Sequence, residues 1–117
     1  MFDTLVQIAN ELNRGNISRA GKMILDLTRD EDNENILKVS SEIERLLREI
    51  ESRDSFVDYL GEEAIELDQI EQEMNELRKR KLKILSVYLL RKLSKGNLII
   101  ENIIKRNFVS QKPQTYM

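Results

Sequence analysis

The stretch from 62 to 95, EEAIELDQIEQEMNELRKRKLKILSVYLLRKLSK, decides the fold because it predicts one long helix whose charges are sorted by sign. Every charged residue from Glu62 to Glu76 is acidic, and every charged residue from Arg78 to Lys95 is basic. Acids near the N-terminus of a helix and bases near its C-terminus both interact favourably with the backbone dipole. The charge pattern therefore agrees with a single continuous helix.

Two apolar patterns follow each other along this helix. Its first half carries a coiled-coil seam at alternating spacings of three and four residues, formed by Leu67, Ile70, Met74 and Leu77. The next seam position is Lys81, and we expect the apolar stripe to shift there to Leu82, Leu85, Leu89 and Leu93. Because Ile84, Val87, Tyr88 and Leu90 join this second stripe, most of the circumference from 82 to 93 is apolar. Such a segment is buried against several neighbours, in the core of the fold or of an assembly.

The composition predicts an all-α protein. Of 117 residues, 34% are charged and 40% are apolar, and the chain contains four glycines and one proline. A chain so poor in Gly and Pro favours long helices over sheet, and its length fits one domain. We expect a bundle of four or five helices with one long central helix, formed by residues 1–109, and a flexible C-terminal tail at 110–117.

Four shorter helices are predicted around the long one. The first ends near Gly15 after an N-terminal cap by Asp3 or Thr4, and the second continues to about Leu27. The third runs from about 34 to 51 after a cap by Asp32 or Asn33, and the last from 98 to 108. Whether Gly61 interrupts the long helix stays open.

The residue types present argue against catalysis. Without cysteine or histidine, the chain has no disulfide, no thiolate or imidazole metal ligand and no histidine acid–base group. No phosphate-binding glycine loop or nucleophile elbow occurs. Asp30, Asp32 and Glu34 alternate as in a calcium loop, but the turn glycine and the closing Glu are missing. We therefore expect a protein that is not an enzyme and that uses no cofactor, metal or small-molecule substrate.

The same sequence gives an expectation for the cellular location. The N-terminus has an early acid, Asp3, and no basic region or cleavage signal, so we expect no secretory peptide. No uncharged apolar run reaches the roughly 20 residues that span a bilayer. We expect an intracellular, cytoplasmic protein that does not bind membranes.

Two sets of residues are candidates for binding. The apolar candidates for contact with a protein partner, in a homo- or hetero-oligomer, are Leu82, Leu85, Leu89, Leu93, Ile99, Ile103 and Ile104. The basic candidates for contact with nucleic acid are Arg78, Lys79, Arg80, Lys81 and Lys83. Because consecutive helical residues point about 100° apart, only part of the basic run can form one patch. No aromatic residue that could stack on bases interleaves with it.

The order of these features resembles a known family. A first helix reading FDTLVQIANELNRGNI and a long helix ending ELRKRKLKILSVYLLRKLSKG are similar to the helical domain of GINS subunits. The similarity is centred on Ile70 to Lys95, where an acidic lead is followed by a basic turn and an apolar Tyr/Leu-Arg-x-Leu segment. GINS is the replication factor that bridges the MCM helicase and a RecJ-like partner. The resemblance implies a role in DNA replication, with a location at the nucleoid.

The leading hypothesis is a non-enzymatic scaffold or adaptor subunit of a larger protein assembly. The alternative is a small helical nucleic-acid-binding or viral accessory protein that uses the basic face from 78 to 83. A third hypothesis is an antiparallel dimer in which the acidic half of one long helix lies against the basic half of the other.

Salt distinguishes the first two hypotheses. Phosphate contacts predict a steep loss of affinity as salt rises, whereas an apolar interface predicts little change. Charge reversal at Arg78, Arg80 and Lys83 is expected to abolish nucleic-acid binding and to spare an assembly held by leucines. A binding titration at low and at about 0.5 M salt measures the difference.

Overall fold

The computed structural model describes residues 1–52 and 63–109, which form five α-helices and, within these ranges, no strand. Helices α1 (Phe2–Asn13), α2 (Ile17–Leu27) and α3 (Glu34–Glu51) precede the long α4 (Glu63–Ser94), and α5 (Leu98–Val109) follows it. The all-α bundle with one long helix is therefore confirmed. The questions of a break at Gly61 and of a tail at 110–117 lie outside the described residues.

The C-terminal half of α4 occupies the centre of the bundle. α4 contacts each of the other four helices, while α5 packs chiefly on α1. Its interior face carries side chains with no exposed surface, among them Leu82, Leu89 and Leu90. The expectation that 82 to 93 is the core of the fold is confirmed for this face.

Gly21 explains how α2 approaches this core so closely. A Cβ atom at this position would lie 3.2 Å from Cδ1 of Leu82 and 3.6 Å from side-chain atoms of both Ile43 and Leu47. By propensity alone, a glycine inside a helix costs about 1 kcal/mol relative to alanine. The structure shows a glycine that lets α2 pack against α3 and α4 together.

The ends of the short helices follow local rules, with one exception. After α1, the N–H of Gly15 donates to the carbonyl of Leu12 and that of Asn16 donates to the carbonyl of Glu11. These two bonds form a Schellman motif, with Gly15 at a φ of +84° as predicted. The cap predicted at Asp3 or Thr4 is wrong, because α1 already begins at Phe2.

Asparagine side chains cap the N-termini of α3 and α5. Asn33 caps α3 by accepting hydrogen bonds from the N–H groups of Asn35 and Ile36, as predicted for this loop. Asn97 accepts in the same way from Ile99 and Ile100 at the start of α5. Between α4 and α5, the chain reverses through Lys95 and Gly96, whose φ angles are +53° and +77°.

Two buried serines face the core with opposite hydrogen-bond status. Ser86 is fully buried in α4, and its hydroxyl has no hydrogen-bond partner in the structure. Ser40 in α3 is also buried, and its hydroxyl donates to Oγ1 of Thr28 at 3.0 Å. A buried hydroxyl without a partner lowers stability, whereas a satisfied one contributes modestly to it.

We predict that Ser86→Ala raises the free energy of unfolding by about 1 kcal/mol, because it removes the desolvated hydroxyl. The matched variant Ser40→Ala should lower it by about 1 kcal/mol, because it removes a hydrogen bond. Both changes alter helix propensity equally, so their difference in urea unfolding reports the hydrogen bonding alone. An equal effect of the two variants would contradict the prediction.

Candidate interaction surface

The apolar residues predicted for partner binding do not form one surface. Four of them are buried in the bundle core: Leu82, Leu89, Ile103 and Ile104. Leu85 and Leu93 are partly buried against that core. Only Ile99, at the start of α5, is mostly exposed. In the folded chain, most of this set is therefore occupied by the chain's own helices.

The five basic candidates are likewise dispersed. The guanidinium of Arg78 lies 3.4 Å from a carboxylate oxygen of Glu49 and 4.0 Å from one of Glu71. Lys79 lies 3.9 Å from Glu76. These ion pairs direct Arg78 and Lys79 towards carboxylates of α3 and α4.

The other three basic residues point in different directions. Nζ of Lys81 lies 3.1 Å from Glu42 of α3. Lys83 is buried, and desolvation lowers the pKa of its ammonium group. Arg80 is exposed and pairs with no acid among the described residues. The run from 78 to 83 is thus divided between ion pairs, the core and solvent.

Glu42 is the centre of the ion pairs that join α3 to α4. Its carboxylate bonds Arg45 of the same helix and Lys81 of α4. The hydrogen bonds from Arg45, and then those from Lys81, lower the pKa of Glu42 from 4.5 to about 2. Two further ion pairs lie within α3, between Glu44 and Arg48 and between Arg45 and Glu49, each at a spacing of four residues.

A surface that the sequence only partly indicated lies on the outside of α4. All exposed large apolar side chains of this helix except Ile65 fall on one line. Their exposed fractions are 44% for Ile70, 40% for Met74, 60% for Leu77, 59% for Ile84 and 38% for Tyr88. With the half-buried Leu67 they repeat at alternating spacings of three and four residues. We call this line the α4 seam: Leu67, Ile70, Met74, Leu77, Ile84 and Tyr88.

Lys81 occupies the one polar position inside the α4 seam. The sequence-based prediction of a shift to Leu82 at this position is incomplete, because Ile84 and Tyr88 continue the seam as surface residues. The signal was present, because the same spacing continues through Lys81 to both of them. In heptad terms, Leu67, Met74, Lys81 and Tyr88 are a positions, while Ile70, Leu77 and Ile84 are d positions.

The α4 seam and the bundle core lie on opposite sides of the helix. Ser86 falls at the f position, which faces away from a and d, and it is fully buried in the core. Tyr88 on the seam keeps 38% of its surface exposed, and the ammonium group of Lys92 lies 5.5 Å from the centre of its ring. Over the first half of α4 the flanking side chains, such as Glu66 and Glu73, are exposed as well. The helix thus carries an apolar face that its own described chain leaves uncovered.

The described residues contain neither a membrane-spanning helix nor a metal-binding cluster. None of the helices there is long and apolar enough to cross a membrane. Acidic side chains in the described ranges do not come together in a group that could hold a metal ion. No protein-family model, curated protein or solved structure matches this chain.

We predict that the Glu42 ion pairs stabilise the fold above pH 4.5 and lose this effect as the pH falls towards 2. The sign follows from the lowered pKa, because the unfolded chain takes up a proton near 4.5 whereas the folded chain resists protonation until about 2. Urea unfolding of the wild type and of Glu42→Gln at pH 7, 4 and 2 measures this contribution to the free energy of unfolding.

The stability difference between these two proteins should be largest at pH 7 and smallest at pH 2. Glu44→Gln is the matched control, because among the described residues Glu44 pairs only with the exposed Arg48, at 3.5 Å. It should change stability less than Glu42→Gln at pH 7. A pH-independent effect of Glu42→Gln would contradict the assignment.

Proposed function

We propose that this chain is a non-enzymatic helical scaffold or adaptor subunit, which joins a larger assembly through the α4 seam. The observation that carries the proposal is a single line of exposed apolar side chains on the face of α4 opposite to the core. A stripe of this kind, at heptad spacing, is the surface that one helix presents to another in a coiled coil. Scattered exposed apolar residues need no explanation, whereas a contiguous line indicates an interaction site.

The polar rim of the α4 seam supports the same function. Charged residues flank the seam on both sides: Glu66, Glu73 and Arg80 occupy g positions on one side, and Glu71 and Arg78 occupy e positions on the other. Charges at such flanking positions select the partner and its orientation in coiled coils. An apolar line with a charged rim is also the common organisation of protein interfaces.

The resemblance to GINS subunits extends this proposal to DNA replication. In that reading the chain is a subunit of a replication assembly, and the α4 seam is its contact with a neighbouring subunit. Support comes from the long acidic-to-basic helix, which is the part of the sequence that carries the resemblance.

The alternative of a nucleic-acid-binding protein receives less support from the geometry. A phosphate-binding surface needs several basic groups directed to the same side. Here Arg78 and Lys81 pair with acids of α3, and Lys83 is buried. We therefore favour a protein partner.

The proposal is tested by placing a photo-crosslinking amino acid at single positions of the full chain in the cells that express it. On the α4 seam, Leu77 and Ile84 should give discrete protein adducts. Gln72 is the matched control, because it is exposed on α4 but falls at the f position away from the seam. It should give no adduct of the same size.

Three outcomes separate the hypotheses. Protein adducts from Leu77 and Ile84 alone support the proposed function. Equal adducts from Gln72, or none from the seam, would contradict it. Adducts that disappear after nuclease treatment would favour the nucleic-acid alternative.

A further inference from the structure

The charges that flank the α4 seam have a symmetry that identifies its partner. We infer that the partner is a second copy of this chain, packed antiparallel along α4, with a two-fold axis beside Asn75 and Glu76. This inference rests on the proposed function, because it names the partner of the same surface. It follows from the apolar layers, from the flanking charges and from the position of Lys81.

The apolar layers match in this register. In an antiparallel pair of helices, a positions of one helix lie opposite d positions of the other. With the axis between 75 and 76, Met74 lies opposite Leu77 of the second copy, and Leu67 lies opposite Ile84. The two-fold axis repeats each layer on its other side. Every apolar residue of the seam from Leu67 to Ile84 thus has a place in a layer.

The ends of the described helix also match. Glu63, the first residue of α4, lies opposite Tyr88 of the second copy, the last apolar residue of the seam. The paired segment from 63 to 88 is about 39 Å long at 1.5 Å per residue. A tyrosine hydroxyl can donate to a carboxylate, so this outermost layer is polar at its rim.

The flanking charges are complementary in the same register. Antiparallel helices bring e positions next to e positions and g positions next to g positions. The e positions pair Glu71 with Arg78 of the second copy, and the g positions pair Glu73 with Arg80 of the second copy. Each pair occurs twice by symmetry, and all of them join opposite charges. The change from acidic to basic residues therefore coincides with the two-fold axis.

A parallel pairing would bring like charges together. In a parallel, in-register pair, Lys81 would lie in one layer with Lys81 of the second copy, and Glu66 would flank Glu71. In the antiparallel pair, Lys81 lies opposite Ile70, and its ammonium group stays at the rim of the layer, where it pairs with Glu42 of its own chain. A single lysine at an a position specifies register and orientation.

Glu73 and Arg80 are available for contacts between chains. Both are exposed, and neither pairs with an oppositely charged residue among the described ones. Arg78 already lies 4.0 Å from Glu71 of its own chain, so the carboxylate of a second copy would join an existing ion pair. Exchanging the charges of Glu73 and Arg80 therefore tests the contact between chains without breaking an ion pair within the described part of one chain.

The inference is tested with Glu73→Arg and Arg80→Glu in separate full-length proteins, measured by sedimentation equilibrium over a range of concentrations. The wild type should reach twice the chain mass of 13.8 kDa. Each single variant replaces two attractive pairs by two repulsive ones, so its dimer dissociation constant should rise by at least about tenfold. An equimolar mixture of the two variants should restore wild-type affinity, because both pairs are then attractive again.

Lys79→Glu is the matched control, because it makes the same charge change at the neighbouring f position. It should leave the dissociation constant within about twofold of the wild type, with circular dichroism reporting the fold of every variant. Failure of the mixture to recover wild-type affinity would overturn the antiparallel register. In a parallel dimer, the arginine introduced at position 73 would lie beside Arg78 of the second copy, and the mixture would keep that repulsion. Unchanged affinity of both single variants would overturn it as well.

A wild type that stays monomeric at about 100 μM and low salt would overturn the second copy as the partner. Seam-specific crosslinks to a different protein would then leave the proposed function standing. If the purified chain dimerises as inferred but the seam gives no crosslinks in cells, the proposed function fails while the pairing register stands.

Discussion

The burial of the C-terminal half of α4 is the interaction on which the rest of this structure depends. Leu82, Leu89 and Leu90 have no exposed surface, and α4 is the element that contacts each of the other four helices. Fully burying one such side chain contributes about 1.5–3 kcal/mol, so this segment is a substantial source of stability. The close packing at Gly21 belongs to the same constraint, because a bulkier residue would push α2 away from Leu82.

This burial also determines which face of α4 remains for other molecules. Once the core fixes one side of the helix, the heptad positions on the opposite side must face outwards. The ion pairs of α3 with Arg78 and Lys81 then hold the flank of the helix in place. The orientation of α4 about its own axis therefore determines which of its residues lie in the core, which pair with α3 and which face outwards.

Much of the fold could be predicted from the sequence because periodicity and caps are local signals. The bounds of α3, the stop at Gly15 and the long helix follow from spacing, glycine and asparagine. The candidate surface was harder, because residues 82–90 carry two apolar stripes and spacing alone does not say which of them faces the core. The leucines at 82, 85, 89 and 93 were predicted to bind a partner, but the structure buries Leu82 and Leu89 and partly buries the other two. Which stripe faces the core depends on where the other helices lie, and a local sequence pattern does not contain that information.

The basic run illustrates the same limit. Its charges are adjacent in the sequence, but their partners on α3 are distant in it. Glu42 and Glu49 bind Lys81 and Arg78 only because α3 and α4 pack side by side. The lowered pKa of Glu42 and the burial of Lys83 are likewise products of that packing.

The uneven burial of α4 has a consequence for how its exposed N-terminal half stays helical. Starting a helix is costly, whereas adding residues to an existing one costs little, and here the core supplies the start. The first turns from Glu63 onwards are therefore maintained by propagation from the buried end, since they have few tertiary contacts with the rest of the described chain. We expect their amide hydrogens to exchange with solvent progressively faster towards Glu63, as fraying opens the helix from that end. A partner that covers the seam must offset the conformational entropy that these turns lose when fraying stops. Part of its binding free energy is therefore used to order the helix that it binds.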